Sequence, residues 1–280
     1  MLDQTLTLPD GRSVGFSDYG SPGAAPVIWC HGGPGSRLQG AAAGAQPSLR
    51  VIGIDRPGYG LSTPNPGRSI GGWTADALAV ADHLGLDRFL VVGISTGGAY
   101  ALALAAAAPE RVMGVVTGCA MTDMRHGPAR DSMAGPATLG LWNAPDRETA
   151  LAAATEVFGA DGTKVMTSFA RLPKADLEAV MRPEAMAAVD ANRAANFAWG
   201  VQGYTDDRLA DGVGWVSFDV GAVACPVVMV HGESDTIVPV LAARHTASLL
   251  PQARLRLYPE LGHLSIAEPV LAALLEMAAR

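Results

Sequence analysis

Ser95, His263 and Asp235 are the residues of this chain whose types and settings could do chemistry together. Ser95 is the centre of Gly93-Ile94-Ser95-Thr96-Gly97, between an apolar run, Phe89 to Val92, and an alanine-rich run, Ala99 to Ala108. A strand that passes into a helix through such a pentapeptide turns sharply and projects the serine hydroxyl from strained backbone. The neighbours two positions away must be tiny to avoid a clash, hence Gly93 and Gly97. A serine hydroxyl is a poor nucleophile until a base takes its proton, and the base needs an orienting acid. Both types follow at suitable places. Asp235 ends the polar turn after the apolar run Val227 to Val230, and His263 follows Gly262 just beyond the alternating stretch Arg254 to Tyr258.

Other residues compete for these roles. Asp219 and Asp123 are alternative acids, and Glu233 reads as a surface neighbour. His31 and His231 belong to His-Gly turns of the kind that hold loops by hydrogen bonds. His83 and His245 fall in expected surface helices, and His126 lies where it could touch a substrate. Asp55 and Arg56 read as a structural ion pair or loop anchor. No His-Glu-x-x-His run or cysteine cluster suggests a metal site, and no G-x-G-x-x-G or Walker loop suggests a nucleotide, so no cofactor is expected.

The elements that must position these residues alternate. Thr5–Leu8 and Ser13–Tyr19 read as a hairpin across a Pro-Asp-Gly turn. Pro26–Cys30, Val51–Asp55, Leu90–Ile94, Val112–Thr117 and Val227–His231 are nearly continuous apolar runs, as suits strands buried on both faces of a parallel sheet. Arg254–Tyr258 reads as an edge strand. Helices are expected over Trp73–Leu84 with Thr74 near its N-cap, Ala99–Ala108, Val240–Leu250 and Leu271–Arg280. This is an α/β pattern with a mostly parallel sheet and helices on both faces. It breaks between residues 121 and 223, where helical patterns (Arg147–Phe158, Ala175–Met181, Glu184–Trp199) stand without a clear strand. The expected organisation is a core of residues 1–120 and 224–280 with a helical cap over 121–223.

The chain resembles the α/β hydrolases of the capped, single-domain kind. The matching segments are His31-Gly32-Gly33-Pro34-Gly35, Asp55-Arg56-Pro57-Gly58-Tyr59-Gly60-Leu61-Ser62, the Ser95 pentapeptide, His231-Gly232-Glu233-Ser234-Asp235 and Gly262-His263. The resemblance implies Ser95 as nucleophile, His263 as base and then acid, and Asp235 as orienter. It implies an oxyanion hole built from the backbone N–H groups of Gly33 and Thr96. The His-Gly-Gly-Pro-Gly loop is also similar to that of proline iminopeptidases, but Thr96 stands where their pentapeptide carries Trp.

An insertion above the strand ends would cover the ligand site. Its apolar side chains include Met121, Met124, Leu139, Trp142, Met166, Phe169, Phe197 and Trp199. Trp142, Phe197, Trp199 and, beside His263, Leu264 are candidates for the substrate pocket. No cluster of carboxylates or arginines stands out as dedicated to a charged substrate. The leading expectation is a serine esterase for a small to medium, largely apolar ester. A proline iminopeptidase-like peptidase, a lactone or carbon–carbon bond hydrolase, and a non-catalytic ligand sensor of the same fold are the alternatives.

At 280 residues and 49% hydrophobic content the chain can bury a large core, and its net charge of −7 argues against nucleic acid as a partner. Cys30, Cys119 and Cys225 have no CxxC spacing and read as buried hydrophobes in a reducing compartment. Residues 1–10 lack a basic region followed by an apolar core, and no apolar run approaches the roughly 18 residues of a membrane span. A cytoplasmic monomer or homodimer with no membrane association is expected.

Overall fold

The computed structural model describes residues 2–133, 140–164, 172–250 and 252–280. The strands are β1 (Leu2–Thr7), β2 (Ser13–Tyr19), β3 (Ala25–Cys30), β4 (Leu49–Ile54), β5 (Phe89–Ile94), β6 (Val112–Gly118), β8 (Val227–Gly232) and β9 (Arg254–Tyr258), with β7 (Ala198–Val201) outside the sheet. They form an 8-stranded sheet in the order β1-β2-β4-β3-β5-β6-β8-β9. The β1–β2 and β2–β4 pairs are antiparallel, and every other pair is parallel.

Burial on both faces explains the apolar strands. Along β3, Val27 and Trp29 join one core cluster, while Ile28 and Cys30 join the other. The first cluster packs on α9 (Ala267–Ala278) through Val270, Ala273 and Leu274. The second packs on α1 (Trp73–His83) and on α2 (Gly97–Ala107), whose alanines let it lie close to the sheet. Helix α8 (Val240–Leu249) follows β8.

Between β6 and β8 the chain forms α3 (Gly127–Met133), α4 (Arg147–Phe158), α5 (Lys174–Val180), α6 (Pro183–Asn196), the short strand β7 and α7 (Gln202–Gly212). This insert differs from the sequence reading at its end. The helix expected to reach Trp199 stops at Asn196, and four residues with Gly200 at φ +62° form β7 before α7 begins. Two core helices also differ. Thr74 is inside α1 rather than capping it; Gly72 is the N-cap, and the Thr74 hydroxyl donates to the Gly71 carbonyl at 2.7 Å. Helix α9 begins at Ala267 rather than Leu271, because Pro269 lies in the first turn, where its missing N–H removes no helical bond. Leu139, Met166 and Phe169 lie outside the described residues. Among the described residues no helix is long and apolar enough to cross a membrane.

Strand order fixes where a site can form. From β3 the chain crosses to β4 on one side and then returns to β5 on the other. The loops leaving the carboxyl ends of β3 and β5 therefore part, and ligands of open α/β sheets bind in that crevice. Cys30 is paired with Gly93, so Gly32-Gly33 and Ser95 emerge side by side.

Candidate active site

Ser95 has φ +52°, a left-handed conformation that is strained for a residue with a Cβ. The glycines around it are demanded by proximity. A Cβ on Gly93 would lie 2.5 Å from the Gly97 carbonyl oxygen, and one on Gly97 would run into the Cys30 carbonyl. The Ser95 N–H donates to the Gly118 carbonyl at 2.9 Å and its carbonyl accepts from Met121 N–H at 3.1 Å, so the turn is tied to the end of β6.

Helix α2 begins directly behind this turn, with Thr96 as its N-cap. Among the described residues the amide N–H groups of Thr96 and Gly33 have no acceptor. The helix N-terminus adds positive potential in the same place. A Cβ on Gly33 would stand 2.9 Å from Thr96 Oγ1, so these two backbone limbs are close.

His263 donates from Nδ1 to Asp235 Oδ2 at 2.8 Å. This fixes the tautomer and leaves Nε2 bare to accept a proton. Asp235 is buried, which pushes its carboxyl up, but the hydrogen bond and charge of His263 and the N–H groups of Val238 and Ile237, each at 2.8 Å, outweigh this and hold it below the usual carboxylate range. Cys119 links this pair to Ser95: it follows Gly118, has φ +44°, and its thiol donates to the Gly262 carbonyl at 3.5 Å. Among the described residues no hydrogen bond joins Ser95 Oγ to His263; such bonds are commonly loose before substrate arrives.

The competing residues are engaged elsewhere. Asp123 accepts from Arg125 and from Trp215 N–H, Asp219 caps a short turn through Gly221 N–H, and Glu233 pairs with Arg244 at 3.2 Å. His31 donates from Nδ1 to the Gly32 carbonyl at 2.7 Å and accepts from Arg56 N–H at Nε2, and burial first, with the charge of Arg56, drives its pKa well below normal. His231 meets the Val238 carbonyl at 2.7 Å, and His126 stacks on His245 with centroids 3.8 Å apart. Asp55 pairs with Arg37, not with Arg56. Cys30, Cys119 and Cys225 are free and buried.

Cys119, Asp235 and His263 offer ligand atoms within 4.8 Å of one another, the geometry of a three-ligand metal cluster. Their chemistry does not suit one. Burial and the nearby Asp235 push the Cys119 thiol up, away from the thiolate a metal needs, and His263 Nδ1 already holds Asp235.

The pocket candidates are dispersed. Trp142 packs with Met121, Met124, Val238 and Ala242. Phe197 is buried where the insert meets the core, with Leu141 and Tyr204 of the insert and Tyr59 of the core. Trp199 is exposed and donates from Nε1 to the Gly60 carbonyl at 3.2 Å. Leu264 is exposed beside His263.

Sequence reasoning missed what the insert supplies. Asp176, on α5, is fully buried and accepts from the N–H groups of His263 (2.8 Å), Leu264 (3.0 Å) and Ser265 (2.9 Å) and from the Ser265 hydroxyl. A Cβ on Gly262 would lie 2.5 Å from this carboxylate, so only glycine admits the contact. Asp207, on α7, accepts from Arg56, Arg68 and the hydroxyls of Tyr59 (2.7 Å) and Tyr100 (3.1 Å). Burial raises its pKa, but the charges of Arg56 and Arg68 hold the carboxyl well below its usual range. Arg56, Arg68 and Arg208 thus form the buried arginine cluster that sequence reading did not find.

With this geometry, comparison with known proteins is direct. The α/β-hydrolase fold family matches residues 25–269. The chain belongs to that family. This α/β hydrolase is 29% identical over 280 residues to a non-heme haloperoxidase of Rhodococcus erythropolis, with 92% of each chain covered. It is 30% identical over 247 residues to a 2-hydroxymuconate semialdehyde hydrolase of Pseudomonas putida, covering 85% of this chain and 80% of that one. A thermophilic esterase from Thermogutta terrifontis shares the fold with a TM-score of 0.73 at 23% identity, over 99% of this α/β hydrolase and 97% of the esterase.

Proposed function

We propose that the protein is a serine hydrolase that cleaves a carboxylic ester of a small to medium, largely apolar substrate through an acyl-enzyme, with the insert between β6 and β8 acting as its cap. The observation that carries this reading is the Nδ1-anchored His263 on the same sheet edge as a strained Ser95, with no partner among the described residues for His263 Nε2 or for the amides of Gly33 and Thr96. The Ser95 hydroxyl attacks the ester carbonyl while His263 Nε2 takes its proton. The amides of Gly33 and Thr96 receive the charge on the carbonyl oxygen. His263 returns the proton to the leaving alcohol, then deprotonates a water that releases the acid.

An aminopeptidase needs a carboxylate to hold the substrate's free amino group. Asp206, Asp207 and Asp211, on α7 of the insert, are each engaged by arginine, which favours ester over aminoacyl chemistry. The test is hydrolysis of p-nitrophenyl esters of graded acyl length beside a lactone and a proline arylamide. Esters are expected to turn over fastest, and Ser95→Ala to lower kcat by roughly 10⁴- to 10⁶-fold. Undiminished ester hydrolysis by Ser95→Ala would refute the reading.

A further inference from the structure

Helix α7 sends two adjacent side chains to the two backbone limbs that flank Ser95. Asp207 reaches the Gly33 limb through Arg56, whose guanidinium donates to the carbonyls of His31 and Gly32, the latter at 2.8 Å. Arg208 reaches the other limb directly. Its Nη2 donates to Thr96 Oγ1 at 2.6 Å and its Nη1 to Met121 Sδ at 3.3 Å. A Cβ on Gly33 would lie 3.4 Å from Arg208 Nη2, so the guanidinium passes behind both limbs at once.

The rest of the Arg208 environment combines charge pairing with unmade bonds: Asp211 lies 2.6 Å from Nη2, and the Tyr204 ring centroid lies 5.0 Å from the guanidinium carbon. It is 4% exposed, and its Nε–H has no partner among the described residues. A thioether is a weak acceptor. Nη2 and Asp211 Oδ2 touch at 2.6 Å, yet that oxygen receives no aligned hydrogen bond. Burying an ion is costly unless it is paired and its bonds are made well; Asp211 supplies the counter-charge, and the shorter of the two side-chain hydrogen bonds goes to Thr96. Counted together, Arg56, Arg68, Arg147 and Arg208 face Asp206, Asp207 and Asp211, four cations against three carboxylates, so this cluster leaves positive charge where α7 meets the core.

We propose that Arg208 is a positioning residue of the oxyanion hole: it fixes Thr96, and with it the amide that follows the nucleophile, and places a buried positive charge behind the point where negative charge develops. This rests on the reading of Ser95 as nucleophile. A charge held in a water-poor site acts strongly on a transition state because it needs no reorganisation. The insert is then part of the catalytic apparatus as well as a cover.

The test compares wild type, Arg208→Gln, Arg208→Lys, Thr96→Val and the Arg208→Gln/Thr96→Val double variant. Thr96→Val keeps the amide and removes only the hydroxyl that Arg208 holds. Each is assayed on a p-nitrophenyl ester and for inhibition by an aryl boronic acid, which forms a tetrahedral anionic adduct with a reactive serine. Arg208→Gln is expected to lower kcat by about 10²-fold, the scale of losing one oxyanion donor, with KM changed less than about threefold. The boronate should weaken in parallel, and Thr96→Val should lower kcat by about tenfold. The double variant should be no worse than Arg208→Gln, because the two act as a unit. Arg208→Lys, which keeps the charge without the fork, should recover part of the loss. Wild-type kcat and boronate affinity in Arg208→Gln would overturn the inference, as would additive losses in the double variant. If Arg208→Gln does not fold, Thr96→Val and Arg208→Lys carry the test, and unchanged kcat in both overturns it. A wild type that neither hydrolyses esters nor binds the boronate would instead remove the underlying reading, and this inference with it.

Discussion

Asp235 shows how one buried carboxylate is kept charged beside an imidazole. Desolvation opposes ionisation, and His263 with two backbone N–H groups reverses the balance. The carboxylate fixes which imidazole nitrogen carries the proton. Asp235→Asn should therefore preserve the fold but lower kcat on the order of 10⁴-fold, by presenting Nε2 in the wrong protonation state. Steady-state kinetics beside a thermal melt would check this; a loss of only a few fold would remove Asp235 from the proposed role. Ser95, Asp235 and His263 stood out as candidates in the sequence because each sits in a local signal: a strand–turn–helix, a strand ending in a polar turn, and a glycine beside a histidine. Trp142 and Phe197 were weaker candidates for the pocket, since an aromatic in a helical insert packs its own interior as readily as it lines a pocket.

The mostly parallel α/β sheet was also readable, because nearly continuous apolar runs separated by helices suit strands buried on both faces; the strand order was not. The work done by α5 and α7 was not. Asp176 and His263 are 87 positions apart, and Asp207 and Arg56 are 151 apart. Sequence reveals neither pairing, and charged residues on a helix ordinarily face water. A usable signal does exist in α7: Thr205-Asp206-Asp207-Arg208 and Asp211 put so many polar residues together that burial demands partners from elsewhere. Helix α5 should matter through the loop it holds. Asp176→Asn keeps size and one acceptor oxygen but cannot accept from three N–H groups with a full charge. We expect kcat to fall roughly 10- to 100-fold with little change in KM, as for a displaced general base. An unchanged kcat would show that the His263 loop holds itself.

The chain as a whole couples its stability to pH through buried titratable groups, and its buried carboxylates have opposite signs. Asp207 and Asp235 are held below the usual range, so the unfolded chain binds protons more readily; their contribution is complete above about pH 4 and is lost as pH falls through their folded values. Asp211 is pushed up to about 6, by burial first and against the pull of Arg208. Between about pH 4 and that value the native state holds a proton that the unfolded chain releases, so Asp211 lowers stability as pH rises through this window. Burial also lowers the pKa of His31 and His231, which adds stability as pH rises, so the test is a difference: in urea denaturation from pH 4 to 7, Asp211→Asn should gain stability relative to wild type as pH rises, and parallel curves would contradict this. The central claim is that three distant segments meet to make Ser95 a nucleophile. Its most direct measurement is covalent labelling by a fluorophosphonate, read by intact mass and peptide mapping. We expect one label per chain, on Ser95, absent in Ser95→Ala and greatly slowed in His263→Gln. A label elsewhere, or ester hydrolysis that persists in a chain whose Ser95 stays unlabelled, would contradict the account.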